Sequence, residues 1–253
     1  MNFFAELAAR NFPLYLFGWI CLLGAVITAI LTQVTTTQVL GINAFIKPFK
    51  FFLSTVIFVW SMAWYLGYLP KNPTITIYTW TVILVLAFEL IYISIKATVG
   101  ELSHFNISSS FNATMFSMMG ITISIMTLFT LYIGMLFFTD QVDPLPSAYL
   151  WGIRLGIIFF VIFAFQGGIM GAQLSHTVGA PDGGPGLPIL NWSTKFGDYR
   201  IAHFAGMHAL QVLPIAGYYL FNQTKGIIIF SCVYFAVCIA VFIQAMMKMP
   251  LIK

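Results

Sequence analysis

The chain has 253 residues, of which 60% are hydrophobic, 17% aromatic and only 7% charged. A soluble globular domain carries about 25% charged residues, so this composition excludes one and places the chain in a bilayer. The formal charge of +4 comes from basic residues scattered around helix ends, which suits lipid head groups and leaves no basic patch for nucleic acid.

Met1 to Pro13 carries Glu6 and Arg10, and the apolar run from Leu14 to Thr32 continues without a small-residue cleavage site. That run therefore reads as a first spanning helix and not as a signal peptide. A crossing needs about 20 mostly apolar residues. Seven segments qualify, at about 14–33, 45–69, 74–97, 111–138, 147–173, 201–221 and 225–248. Turn-forming breaks separate several of them: Pro70-Lys71-Asn72-Pro73, Asp140 to Pro146, and Asn222 to Gly226. Hydrocarbon offers no partner to a bare backbone group, so these runs are expected to be helices packed as a bundle. The three cysteines, Cys21, Cys232 and Cys238, lie in apolar segments and form no CxxC or metal-ligand spacing. The expected fold is all-α: one integral membrane domain over 1–253, a bundle of about seven transmembrane helices with an ordered Gly/Pro-rich loop at 174–200 between helices five and six.

Seven crossings put the chain ends on opposite faces. One face then holds Arg10, Lys71, Arg154 and Lys225; the other holds Lys47, Lys50, Lys96, Lys195, Arg200, Lys248 and Lys253. The more basic face is expected in the cytoplasm, with the C-terminus on it and the N-terminus outside.

Polar chemistry collects on that basic face. The stretch Ser175 to Gln211 carries His176, His203 and His208 together with Asp182, Asp198 and Arg200, and the remaining histidine, His104, follows the third helix on the same side. Imidazole is a common metal ligand and a proton carrier near neutral pH. His203 and His208 stand about 140° apart around a helix, so they cannot form an i,i+4 chelate, and a shared metal requires a histidine from another segment. Two histidines on different helices could equally ligate the two sides of a haem. His208 and Gln211 form a polar stripe, and Pro214 is expected to kink the helix beyond it. Asp182-Gly183-Gly184-Pro185-Gly186 should make tight turns, with Trp192 as an interfacial anchor. The glycines match neither a Walker A nor a Rossmann pattern, and Gly167, Gly168 and Gly171 have the spacing of close helix packing.

A second constellation lies on the second and third helices. Lys47 and Lys50 open the second, and Glu89, Tyr92 and Lys96 recur at i, i+3 and i+7 on the third. Glu89 sits about 12 Å inside the helix end. A carboxylate at that depth must be protonated, paired or beside water, so either a Lys50–Glu89 ion pair or a proton or anion pathway is expected.

KPFKF at 47–51, SHFN at 103–106, HTVGAPDGGPGLP at 176–188 and DYRIAHFAGMHALQ at 198–211 are similar to the motifs of a family of bacterial polytopic membrane proteins. The likeness covers nearly the whole chain. It implies a multi-pass protein of the bacterial inner (cytoplasmic) membrane and carries over no reaction or ligand.

The residues support three functional expectations. The first is a redox protein binding haem or a transition metal through His104, His176, His203 and His208. Asp198 would orient a histidine, Lys47 and Arg200 would neutralise an anionic substrate or haem propionates, and Asp182 and Gln211 would complete the pocket. The second is a proton-coupled transporter in which Glu89, Lys50 and the histidines titrate. The third is a metal-dependent hydrolase acting on lipid. The bilayer, a quinone, a lipid or another small molecule are the partners these readings imply.

Overall fold

In a computed structural model, residues 2–139 and 142–252 are described; Asp140 and Gln141, part of the turn expected at 140–146, lie outside them. The elements are α-helices with two short two-stranded pairings. In order they are α1 (Phe3–Arg10), α2 (Phe12–Val34), β1 (Gln38–Val39), β2 (Ile42–Asn43), α3 (Ile46–Leu66), α4 (Pro73–Thr98) and α5 (Ser110–Thr139). There follow α6 (Ser147–Gln173), β3 (Thr177–Val178), β4 (Gly197–Asp198), α7 (Tyr199–Met207), α8 (Ala209–Tyr219) and α9 (Thr224–Met246). Among the described residues six helices, α2 to α6 and α9, are long and apolar enough to cross a membrane. Their outward faces carry exposed Leu, Ile, Val and Phe side chains, the surface that hydrocarbon solvates.

The helix starts follow from local chemistry. Asn11 caps α2 by accepting from the Leu14 N–H, Asn72 caps α4 by accepting from the Ile75 N–H, and a proline follows each cap in the first turn. Asn11 also donates to Thr79 Oγ1 at 2.8 Å, which ties the α1–α2 junction to α4. The helix α1 was not expected. It is held by Arg10, which pairs with Glu6 at 2.9 Å, donates to the Trp64 carbonyl at 3.0 Å and lies 4.3 Å over the Trp64 and Tyr68 rings.

The chain forms two compact units, residues 1–126 and 127–253. In the first, α2 packs on α3, and Gly18 lets the Trp60 ring lie where a Cβ would stand. In the second, α6 runs antiparallel to α7 and α8. Gly152 meets the Leu213 carbonyl, and Gly206 meets the Phe163 ring, both at separations that a methyl group would occupy. The single helix expected at 201–221 is two helices meeting at His208, whose ψ is −5°. Gly206, a weak helix former, lies just before that junction, and Pro214, which has no N–H to offer the Leu210 carbonyl, lies inside α8.

Candidate functional site

In the first unit, Glu89, Tyr92 and Lys96 do share one face of α4, and all three are buried. Glu89 is 5% exposed and, among the described residues, makes neither a hydrogen bond nor an ion pair. Lys47 lies within its electrostatic reach. Lys50, the partner expected for it, is partly buried almost one turn further along α3. Lys96 Nζ pairs with Glu101 Oε2 at 2.6 Å and lies 5.7 Å from the Tyr92 ring centroid. Phe51 gathers the cluster: Lys47 Nζ is 5.9 Å from its centroid, the His104 ring is 5.6 Å away, and its side chain packs on Tyr92, Ile93 and Met119.

The connection from α4 to α5 is tightly bonded. Ser103 Oγ and His104 Nδ1 are 3.1 Å apart, and Asn106 donates to the Leu102 carbonyl. Asn106 Oδ1 accepts from both the N–H and the hydroxyl of Ser108, and Asn112 Nδ2 donates to Ser108 Oγ. Two atoms stand outside this saturation. The Tyr92 hydroxyl and Asn112 Oδ1 are enclosed and have no hydrogen-bond partner among the described residues.

In the second unit, two carboxylates staple the segment between α6 and α7. The helix α6 ends at Leu174 in the left-handed conformation (φ 52°), which turns the chain back. Asp182 then accepts from Ser175 Oγ, from the backbone N–H groups of His176 and Thr177, and from His176 Nδ1 at 2.6 Å. Burial alone would raise the Asp182 carboxyl, but the hydrogen bonds and charge of His176, with the Thr177 N–H, hold it well below the usual carboxylate range. Asp198 is 1% exposed and fills all its acceptor positions: it caps α7 through the Arg200 N–H, takes the Ser193 N–H and receives the Arg200 guanidinium at 2.9 and 2.6 Å. The same guanidinium reaches the Asn191 carbonyl. The antiparallel β3–β4 pair, with the Tyr199 N–H on the His176 carbonyl, closes the segment.

His203 donates from Nδ1 to the Phe163 carbonyl at 2.7 Å, and Gly167 lets its ring lie flat on the α6 backbone. His208 Nδ1 meets Gln211 Oε1 at 3.1 Å, and its ring centroid lies 4.3 Å from that of Phe204. A carboxylate, a carbonyl and an amide oxygen only accept, so His176, His203 and His208 each carry the proton on Nδ1 and present Nε2 as the basic nitrogen. His176 also lies within electrostatic reach of His203.

Several expected roles change. Asp198 was expected to orient a histidine; Asp182 does so, on His176, while Asp198 is occupied by Arg200 and the turn. Arg200 and Gln211, expected at a cofactor, are bonded to Asp198 and His208. His104 belongs to the first unit, and the other three histidines to the second. Among the described residues no group of three or more His, Cys, Asp or Glu side chains is placed to hold a metal ion. Sequence reasoning missed Asn112 and Gln166. Both Gln166 amide atoms are enclosed in α6 without a partner among the described residues. The available signal was a lone amide inside an apolar run, which has no role in packing and a cost in lipid.

Comparison with protein families, with curated proteins and with solved structures returns no match.

Proposed function

We propose that the protein is a polytopic membrane carrier in which Glu89 is the titrating carboxyl that couples solute movement to proton movement. The observation that carries this reading is Glu89 itself, buried in a span, without a bonded partner among the described residues and with Lys47 in electrostatic reach. An ionisable group in a spanning helix is expensive, and pairing or hydration that changes during a cycle is the use that offsets the cost. In this reading α7 and α8 together make a seventh crossing: residues 199–219 cover about 30 Å at 1.5 Å per residue. The crossing is broken at His208, as helices that frame solute sites often are. The stapled 174–198 segment then covers that end of the second unit. The membrane is the bacterial inner membrane, with the lysine-rich face and the C-terminus in the cytoplasm.

Proteoliposomes loaded with a pH-sensitive dye test it, with amino acids, primary amines and short carboxylates added in turn and the signal of protein-free liposomes, which weak acids and amines enter passively, subtracted. The carrier reading expects at least one of these solutes to drive lumenal acidification in the wild type and none to do so in Glu89→Gln. Acidification that persists in Glu89→Gln, or none with any solute, sinks it.

A second reading has its own support. His176 and His203 each donate Nδ1–H to a fixed acceptor, Asp182 and the Phe163 carbonyl, which is how the protein orients an imidazole that binds a metal through Nε2. A haem or transition-metal redox centre on these two histidines expects a Soret band or stoichiometric metal in gently purified protein, lost in His203→Ala. Neither signal in the wild type ends that reading.

A further inference from the structure

The strongest remaining observation is a pair of unsatisfied atoms in the first unit. Tyr92 is 5% exposed and Asn112 6%, and neither the tyrosine hydroxyl nor Asn112 Oδ1 has a partner among the described residues. Leaving such a group bare costs about 1–3 kcal/mol. The rest of the α4–α5 connection satisfies its polar groups through Ser103, Asn106 and Ser108, so the exceptions are local.

Their positions order them along one line. Glu89, Tyr92 and Lys96 lie at one-turn intervals on α4, with Glu89 about 10 Å deeper than Lys96. Tyr92 packs on Met115 and Met119 of α5, and Asn112 is on the same α5 stripe, one turn nearer the connection. Polar groups therefore follow one another from Glu89 past Tyr92 to Asn112, and on to the buried Asn106 and to Ser108 at the surface of the unit. The other titratable groups around this line are Lys47 and Lys50 on α3, and Glu101 and His104 in the connection.

We propose that Tyr92 and Asn112 line a narrow hydrated conduit that carries protons between Glu89 and the 101–109 segment; the inference rests on Glu89 being the coupling carboxyl of the carrier. Asn112 Oδ1 can only accept, because its Nδ2 already serves Ser108, whereas the Tyr92 hydroxyl can donate or accept. One water donating to Asn112 Oδ1 and accepting from Tyr92 satisfies both atoms, and such bridges are the usual partners of enclosed polar groups. Transfer along the line breaks one O–H bond at the Glu89 carboxyl, forms one on the first water and repeats outward. The last water releases a proton to bulk, and nothing is oxidised or reduced.

The test uses single cysteines in a full-length background with Cys21, Cys232 and Cys238 replaced. Tyr92→Cys and Asn112→Cys are compared with Ile91→Cys and Ile95→Cys, whose side chains are 60% and 55% exposed on the apolar outer surface. The probe is Ag+, small enough for a water-wide path, added to one side of sealed vesicles. Modification is read as loss of free thiol after denaturation. The conduit expects thiols at 92 and 112 to react at least ten-fold faster than those at 91 and 95, and from one side only. Equal rates, or equal reaction from both sides, overturn it. If a cysteine variant does not fold, Tyr92→Phe with Asn112→Leu serves instead: solute-driven acidification slows at least ten-fold if the conduit exists, and an unchanged rate overturns it. Slow thiols with intact acidification sink the conduit alone. Fast thiols with no acidification by any solute sink the carrier and leave the hydrated path.

Discussion

In the second unit Asp182 and Asp198 fill their acceptor positions with backbone N–H groups, a histidine and an arginine; in the first, Glu89, buried more deeply than Asp182 and less than Asp198, has no bonded partner among the described residues. The first arrangement is how a carboxylate folds a chain. Each bond it accepts fixes a turn, and no lone pair is left for a reaction. The second arrangement fixes no turn and caps no helix, and a leucine at position 89 would fill the same buried space without the cost of burying a carboxyl. The segment richest in histidine and carboxylate is thus the better-satisfied one, and the unsatisfied chemistry lies in plain transmembrane helices.

If Asp198 is a staple, Asp198→Ala should have the largest effect on stability. It strands an Arg200 guanidinium that is only 24% exposed, removes the cap of α7 and frees the Ser193 turn. Loss of one partner of a buried pair costs about 3–5 kcal/mol. Thermal unfolding in detergent should show a lowered midpoint, and an unchanged midpoint would reassign Asp198 to chemistry. Gly152→Ala comes next. Its Cβ would stand 2.6 Å from the Leu213 carbonyl oxygen and 2.8 Å from Pro214 Cα, both backbone atoms that cannot rotate away. Overpacking of this kind costs about 1–3 kcal/mol. The same unfolding measurement checks it, with Gly168→Ala, where nothing lies within 4 Å, as the neutral control.

Asp182→Asn should cost somewhat less, about 1–2 kcal/mol, since the amide keeps one acceptor oxygen. Its pH signature is more specific than its size. The folded carboxyl is held below its usual range, so its contribution is complete above the unfolded value of about 4 and is lost as pH falls through that value toward the folded one. The protection factors of residues 175–198, exchange rates corrected for the pH dependence of intrinsic exchange, should therefore fall between pH 5 and pH 3 in the wild type. Asp182→Asn should be weakly protected at both, and an equal fall in the variant would assign the effect to another group.

Helix positions were legible because lipid enforces a simple rule: apolar runs of sufficient length become helices, and α6 falls where hydropathy puts it, at 147–173. The 201–221 segment departs from that rule at His208, just after Gly206, whose weak helix propensity hydropathy does not register. The same limit hid α1. Its anchor is Arg10 against Trp64 and Tyr68 of a later helix, a contact invisible in eight residues read alone. At the site, spacing found the Glu89, Tyr92 and Lys96 face, since i, i+3 and i+7 is a property of one helix. The reach of Lys47 to Glu89 was not legible, because register between helices depends on how Phe51 and its neighbours pack. Asn112 and Gln166 were passed over for a related reason: an amide announces itself only when its partners are known, and sequence gives none.

Glu89→Gln has the smallest expected effect on folding and separates the two kinds of carboxylate most cleanly. A glutamine keeps the volume and removes a charge that has no bonded partner among the described residues, so the cost of burying that charge disappears with it. Lys47 loses the attraction of a carboxylate within its reach, which offsets part of the gain. The net change in unfolding free energy should be within about 1 kcal/mol of zero and of either sign, in contrast to the clear loss in Asp198→Ala. The unfolding midpoint of Glu89→Gln in detergent, measured beside solute-driven acidification in vesicles, decides the matter. A midpoint close to wild type with acidification abolished marks Glu89 as a working carboxyl in a frame that does not need it. A midpoint that falls as far as that of Asp198→Ala makes Glu89 one more structural acid.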